Sequence, residues 1–220
     1  MRHRCQAVIF DMDGVLVNSE PVYMAIEREL FASVGAVVTE EEHHRFVGAP
    51  AAALWQFAAQ RATQPCTVDA LERQSRQRIN RWLADSAPLE PMPGVVALLE
   101  RLSAADVPCA VASSSALSTI EAMLRRLGVR HRFDVVVSGE EVTHGKPAPD
   151  IFLETARRLG VAPQQCVVLE DARNGVLAAK AAGMYCCAVR NPDSGNQDLS
   201  AADCIVTSLI ETPPPLIDRL

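Results

Sequence analysis

Lysine is nearly missing from this chain. Only Lys146 and Lys180 occur in 220 residues, the arginines are scattered, and the formal net charge is −6. Without a basic stripe to meet a polyphosphate backbone, a nucleic-acid partner is not expected. Long apolar runs are missing too. Nothing approaches the roughly 20 consecutive apolar residues of a bilayer span, and the run in MRHRCQAVIF is too short for the core of a secretion signal. The expectation is a cytoplasmic protein with no membrane partner. There is no C-x-x-C, and the seven cysteines are odd in number. Cys5, Cys109, Cys166, Cys186, Cys187 and Cys204 sit in or beside apolar runs, as reduced core residues do. Repeats and low-complexity tracts are likewise absent. What remains is a 49% hydrophobic chain, long enough to bury one full core and carry an inserted lobe.

Short apolar runs recur at 7–10 (AVIF), 109–113 (CAVAS), 134–138 (DVVVS), 166–170 (CVVLE), 186–189 (CCAV) and 204–208 (CIVTS), with helical patterns between them. Strands alternating with helices pack as a parallel sheet, so an α/β, Rossmann-like core is predicted. Gly128, Gly160 and Gly183 follow AMLRRL, ETARRL and LAAKAA, where a left-handed residue stops a helix. Right-handed crossovers then gather the carboxyl ends of the strands on one edge.

One interval breaks the rhythm. About 98 residues separate the first two runs, far more than a crossover requires. Ser19 is suited to N-cap a helix with Pro21 in its first turn, running to Gly35. Thr39 and Glu42 form a capping-box pattern, and APAAALWQFAAQRA and TVDALERQSRQRINRWLADS supply two further helices. An all-helical insert over 19–87 is expected, leaving 1–18 and 88–220 as the sheet domain. Its connections, near Val17–Ser19 and Ala87–Pro93, are the expected hinges.

Ligands of open α/β sheets bind beyond the carboxyl ends of the strands. The residues there are Asp11 and Asp13 after the first run, Ser113, Ser114 and Ser115 after the second, and Glu170 and Asp171 after the fourth. Lys146 in HGKPAPDIF stands near the start of the helix after the third. Four carboxylates packed at one edge repel one another, and a single lysine does not balance them. A hard cation does, and oxygen ligands select Mg²⁺, which couples one or two carboxylates to a phosphate.

In this order, DMDGVLVNSE, VASSS, GKPAPDIF and VLEDARNGVLAAKAAG resemble the four motifs of the haloacid dehalogenase-like phosphatases and phosphomutases, across nearly the whole chain. The helical insert resembles the cap of the beta-phosphoglucomutase-like branch. The resemblance implies Asp11 as a nucleophile forming an aspartyl-phosphate and Asp13 as general acid and base. It implies Mg²⁺ held by Asp11, the Asp13 backbone carbonyl and Asp171, with Glu170 ligating directly or through water. Ser113, the Ser114 amide and Lys146 would hold the phosphoryl oxygens, and Glu20, Tyr23 and Met24 at the cap entrance would bias substrate choice.

Each motif alone has a plainer reading: a D-G turn, a serine N-cap cluster, a surface lysine, a helix cap at Glu170 and Asp171. Their joint occurrence favours the site. Asp13 and the Glu170–Asp171 pair argue against a dehalogenase, and a cap without lysine argues against a phosphonatase-like relative. In place of the histidine and arginine typical of a phosphosugar mutase stand Tyr23 and Ala51. A phosphatase of sugar or polyol phosphates is therefore expected, as a monomer or weak homodimer, with mutase action and a catalytically silent phosphate-binding module as alternatives. His43 and His44 are expected to be exposed, and Trp55, Phe57 and Trp82 to belong to the cap core. His144 is expected near the site without an assigned role. Arg45, Arg73, Arg76 and Arg78 are candidate cap contacts.

Overall fold

Six strands form one sheet: β1 (Ala7–Phe10), β2 (Cys109–Ser113), β3 (Val135–Ser138), β4 (Cys166–Glu170), β5 (Tyr185–Val189) and β6 (Cys204–Val206). The computed structural model describes residues 5–85 and 89–211. Every strand pairs parallel to its neighbours, in the order β3-β2-β1-β4-β5-β6. The central strands are continuously apolar because helices cover both faces. Along β1 the alternation is visible in the partners. Val8 and Phe10 pack with Leu98, Leu99 and Leu102 of α5 (Val95–Ala104) and with Ile120 and Met123 of α6 (Leu117–Arg126). Ala7 and Ile9 pack with Phe152 of α7 (Asp150–Leu159) and Val176 of α8 (Arg173–Ala181). From β1 the chain winds outward through β2 and β3, then returns to β4 on the other side of β1. The winding reverses between β1 and β4, where an open sheet leaves its crevice.

The element boundaries shift slightly from expectation, for identifiable reasons. Asp134 does not extend β3; its carboxylate accepts from the Cys109 backbone N–H at 3.0 Å. The last strand ends at Val206, and β5 gains Tyr185.

Between β1 and α5 the described residues contain only helices: α1 (Glu20–Ser33), α2 (Glu40–His44), α3 (Ala51–Arg61) and α4 (Val68–Asp85). They bury an apolar cluster of their own around Phe31, Leu54, Trp55 and Leu71. The capping box at Thr39 and Glu42 is formed. Ser19 departs from the expected N-cap: its backbone is already helical, and its hydroxyl donates to Asp13 and accepts no N–H of α1. Of the second connection, residues 87 and 88 lie outside the described residues. The rest runs beside the first, with the Met92 N–H donating to the Leu16 carbonyl at 2.8 Å.

The helical lobe rests on the strand ends. The carbonyls of His44, Val47 and Gly48 accept from Gln197 Nε2 (3.0 Å), Asn174 Nδ2 (3.2 Å) and Ser114 Oγ (3.1 Å). Arg76 of α4 pairs with Glu140 on the sheet side at 2.9 Å.

Two glycines share a backbone conformation but not surroundings. Gly94, at the start of α5, has φ +89°, and a Cβ there would meet the Leu209–Ile210 backbone at 2.2–2.3 Å. Gly128, at the end of α6, has φ +71° and nothing within 4 Å of that position. Gly128→Ala should cost about 1–2 kcal/mol, the left-handed penalty alone. Gly94→Ala should cost at least about 1 kcal/mol more, because backbone has to move. Urea denaturation of both variants checks this, and equal losses would contradict the packing at Gly94.

Candidate active site

Lys146 is 2% exposed, in the crevice between β1 and β4. Its ammonium donates to Asp11 Oδ1 at 2.5 Å, Glu170 Oε1 at 2.7 Å and the Ala112 carbonyl at 3.3 Å, so each of its three protons has an acceptor. Burial alone would lower its pKa, but Asp11 and Glu170 outweigh burial and hold Lys146 above its ordinary range. Asp11 is pushed up to about 8, first by burial and then by Glu170 and Asp13, with Lys146 opposing. Asp171 stands well above the usual carboxylate range, from burial and from repulsion by Glu170 and Asp11. Ser194, in the turn after β5, donates to Asp171 Oδ2.

Glu170, expected to ligate the metal directly or through water, has both oxygens bonded to the protein. Oε1 holds Lys146, and Oε2 accepts from the N–H groups of Asp171 and Ala172 at 2.9 Å each. The carboxylate lies so close to α8 that a Cβ on Gly175 would sit 1.6 Å from Oε1. In this arrangement Glu170 orients the lysine.

Asp13 occupies a cradle of hydroxyls. Ser19 Oγ donates to Oδ1 at 2.6 Å, and Ser115 Oγ and Ser113 Oγ donate to Oδ2 at 3.0 and 3.5 Å. Burial raises its pKa, while Ser19, Ser115 and Tyr23 pull it back. The Tyr23 hydroxyl is buried beside this carboxylate and has no partner at full hydrogen-bond geometry among the described residues. Ser114 turns its side chain away to Gly48 of the helical lobe, so any hold it has on an anion runs through its backbone amide.

Asp11, Asp13, Asp171 and Ser113–Ser115 open into a cavity of about 480 Å³ roofed by α1, α2, α3 and α4. Glu20, Tyr23 and Met24 line it, as expected; Glu27, His43 and Trp55 line it unexpectedly. His43, expected to be exposed, is 4% exposed and bonded to Glu27 at 2.5 Å. Trp55 belongs to the helical core, whereas Trp82 packs against the sheet-side core and edge-on to Tyr23. Phe57 packs at a tilt against Phe46 under Arg61. Of the four candidate arginines, only Arg76 lines the cavity, and Glu140 engages it. Arg45 and Arg78 pair with Glu41 and Glu29 on the outer surface. His144 is exposed and braces Asp150 at the start of α7 instead of the site.

Among the described residues no three His, Cys, Asp or Glu side chains converge as a closed metal cage would. Mg²⁺ asks for less: one or two carboxylates, completed by carbonyl, water and substrate oxygens. Asp11 and Asp171 supply hard oxygens that burial and mutual repulsion leave short of positive charge. That donor set fits Mg²⁺.

A family profile described as haloacid dehalogenase-like hydrolase matches residues 8–189. The chain is 37% identical over 190 residues to the fructose-1-phosphate phosphatase YqaB of Escherichia coli, covering 86% of this chain and 99% of that one. It is 33% identical over 210 residues to hexitol phosphatase B of the same species, covering 93% of each. Among solved structures it is similar to CbbY of Rhodobacter sphaeroides, crystallised as a point mutant with xylulose-1,5-bisphosphate. The TM-score is 0.83 at 28% identity, covering 94% of this chain and 96% of that one.

A raised carboxyl pKa means the folded chain holds the proton more tightly than the unfolded chain. Such a group costs stability as pH rises from its ordinary value of 3.8. The cation-free Asp171→Asn variant should therefore gain melting temperature relative to wild type between pH 5 and pH 8. Mg²⁺ should raise the wild type at pH 8 and leave the variant nearly unmoved. A variant that loses ground as pH rises would contradict the repulsion described for Asp171.

Proposed function

Since the chain belongs to the haloacid dehalogenase-like hydrolases and is a phosphoric monoester hydrolase of that family, we propose that it hydrolyses sugar or polyol monophosphates through an aspartyl-phosphate at Asp11, with Mg²⁺. The observation carrying this reading is the division of labour at the edge of β1. Asp11 is braced by a buried cation, and Asp13, two residues on, sits in a hydroxyl cradle facing the same cavity.

In this reading Asp11 attacks phosphorus as the bond to the leaving alkoxide breaks. Asp13 delivers its proton to that alkoxide, then takes one from the water that attacks the phosphoryl group and releases Asp11. The hydroxyls of Ser19 and Ser115 serve both of its states, since a hydroxyl donates to a carboxylate and turns to accept from a carboxylic acid. Asp11, Asp171 and the Asp13 carbonyl would hold Mg²⁺, which would offset negative charge on the phosphoryl oxygens. Lys146 fixes Asp11 and can exchange its carbonyl bond for a phosphoryl oxygen; Ser113 and the Ser114 amide border the same space. Residues 19–87 act as a cap over the sheet domain 1–18 and 88–220, its closure held by the three carbonyl contacts and Arg76. Glu20, Tyr23 and Met24 bias which leaving group fits.

The named relatives support carbohydrate-type leaving groups. Mutase action requires a second phosphate to be held while the intermediate turns over. The cavity offers Arg76 for that task, and Glu140 already engages it. A silent binding module would have no use for the paired acids of the DMD segment.

Asp11→Asn should lower turnover of p-nitrophenyl phosphate with Mg²⁺ by a factor of roughly 10³ or more, the scale of losing a covalent nucleophile. Tyr23→Phe should reorder a sugar-phosphate panel while leaving the aryl substrate within about twofold, the scale of a peripheral contact. Turnover near wild type in Asp11→Asn, or uniform losses in Tyr23→Phe, would reject the respective roles.

A further inference from the structure

Glu20, Tyr23, Met24 and Glu27 recur at helical spacing on the cavity-facing side of α1. At about 1.5 Å per residue, Glu27 lies about 10 Å beyond Glu20 along the helix axis. The near end meets the reaction centre, where Ser19 bonds Asp13. The far end is Glu27 Oε2 bonded to His43 Nε2 of α2 at 2.5 Å, with the His43 ring held edge-on by Phe31. Neither Glu27 nor His43 has a part in the chemistry proposed above. Yet both are largely withdrawn from water, an arrangement that packed apolar residues would replace at no loss if filling the lobe were the purpose.

Two features show what this end can bind. Among the described residues nothing donates to Glu27 Oε1 or to either oxygen of Glu20, although both residues line the cavity. Glu72 and Glu140 line it as well, Glu140 paired with Arg76, so acidic side chains outnumber basic ones around the space beyond the reacting phosphate. Carboxyl oxygens in such an acidic lining suit hydroxyl donors on an uncharged leaving group. At the per-bond reach of an extended chain, a six-carbon backbone spans about 6 Å and a three-carbon one about 2.5 Å, so only the longer approaches a group that far along α1.

We propose that Glu27 and His43 form the distal wall of the substrate site, where Glu27, held by His43, accepts a hydrogen bond from a terminal hydroxyl of a six-carbon, otherwise uncharged sugar or polyol monophosphate. This rests on the phosphatase reading. His43 is a positioning residue that fixes the Glu27 carboxylate.

The test compares kcat/KM for a hexitol phosphate, glycerol 3-phosphate, a hexose bisphosphate and p-nitrophenyl phosphate, with Mg²⁺, in wild type, Glu27→Met and Glu27→Gln. Wild type should favour the hexitol phosphate over glycerol 3-phosphate and the bisphosphate. Glu27→Met should lose about tenfold or more on the hexitol phosphate, chiefly in KM, with glycerol 3-phosphate and the aryl substrate within about twofold, as for one lost hydrogen bond to a charged acceptor. Glu27→Gln, which keeps the shape and the contact with His43, should lose less and carries the test if Glu27→Met does not fold. Equal losses on all substrates, no loss on the hexitol phosphate, or preference for the bisphosphate would overturn this inference while leaving the phosphatase reading intact. Failure of wild type to hydrolyse even the aryl substrate would overturn that reading and this inference with it.

Discussion

Lys146 Nζ lies 2.5 Å from Asp11 Oδ1 and 2.7 Å from Glu170 Oε1, where almost no water reaches. A parallel sheet ends all its strands on one edge, so β1 and β4 necessarily bring their terminal carboxylates together there. One ammonium meets two of those charges and leaves Asp13 and Asp171 to hydroxyls and to a cation. The shortage of positive charge is therefore part of the design. It makes the folded chain less stable than a neutral edge would be, and it is the charge that Mg²⁺ would offset in the proposed reaction.

The helical lobe grows out of the same strand end. The chain turns from Asp13 into α1 within seven residues, so the helix face beginning at Glu20 continues the reaction centre without a break. Asn18 Nδ2 is bonded to Asp193 at 2.6 Å, and Ser194 beside it reaches Asp171. The 192–194 turn thus touches both the first connection and a candidate metal ligand. The first connection and Asp171 share a support.

How much of this was legible in the sequence differs by the kind of interaction. The apolar runs of β1, β2 and β4, the glycine stops and the Thr39–Glu42 box are local patterns, and a local pattern survives folding. Asp11, Asp13, Glu170 and Asp171 were legible together because strand topology brings them to one edge, and Lys146 by its place in the segment between β3 and α7. Ser19 carries an N-cap signal, but its hydroxyl goes to Asp13 and makes no cap bond to α1. Glu27 and His43 are separated by 15 intervening residues and meet through the packing of α1 on α2, which no spacing rule encodes. The same holds for Ser194 with Asp171 and for Gln197 and Asn174 with the lobe carbonyls. The NPDSG segment offers only a turn signal; what it contacts depends on where the sheet places β5.

The most direct test of this account is a crystal structure grown with Mg²⁺ and beryllium fluoride, which mimics a phosphoryl group on a carboxylate. The account predicts beryllium bonded to the Asp11 carboxylate, a cation between Asp11 and Asp171, and Lys146 still in contact with Glu170. An adduct on Asp13, or a cation held by Glu170 with Asp171 left out, would contradict it.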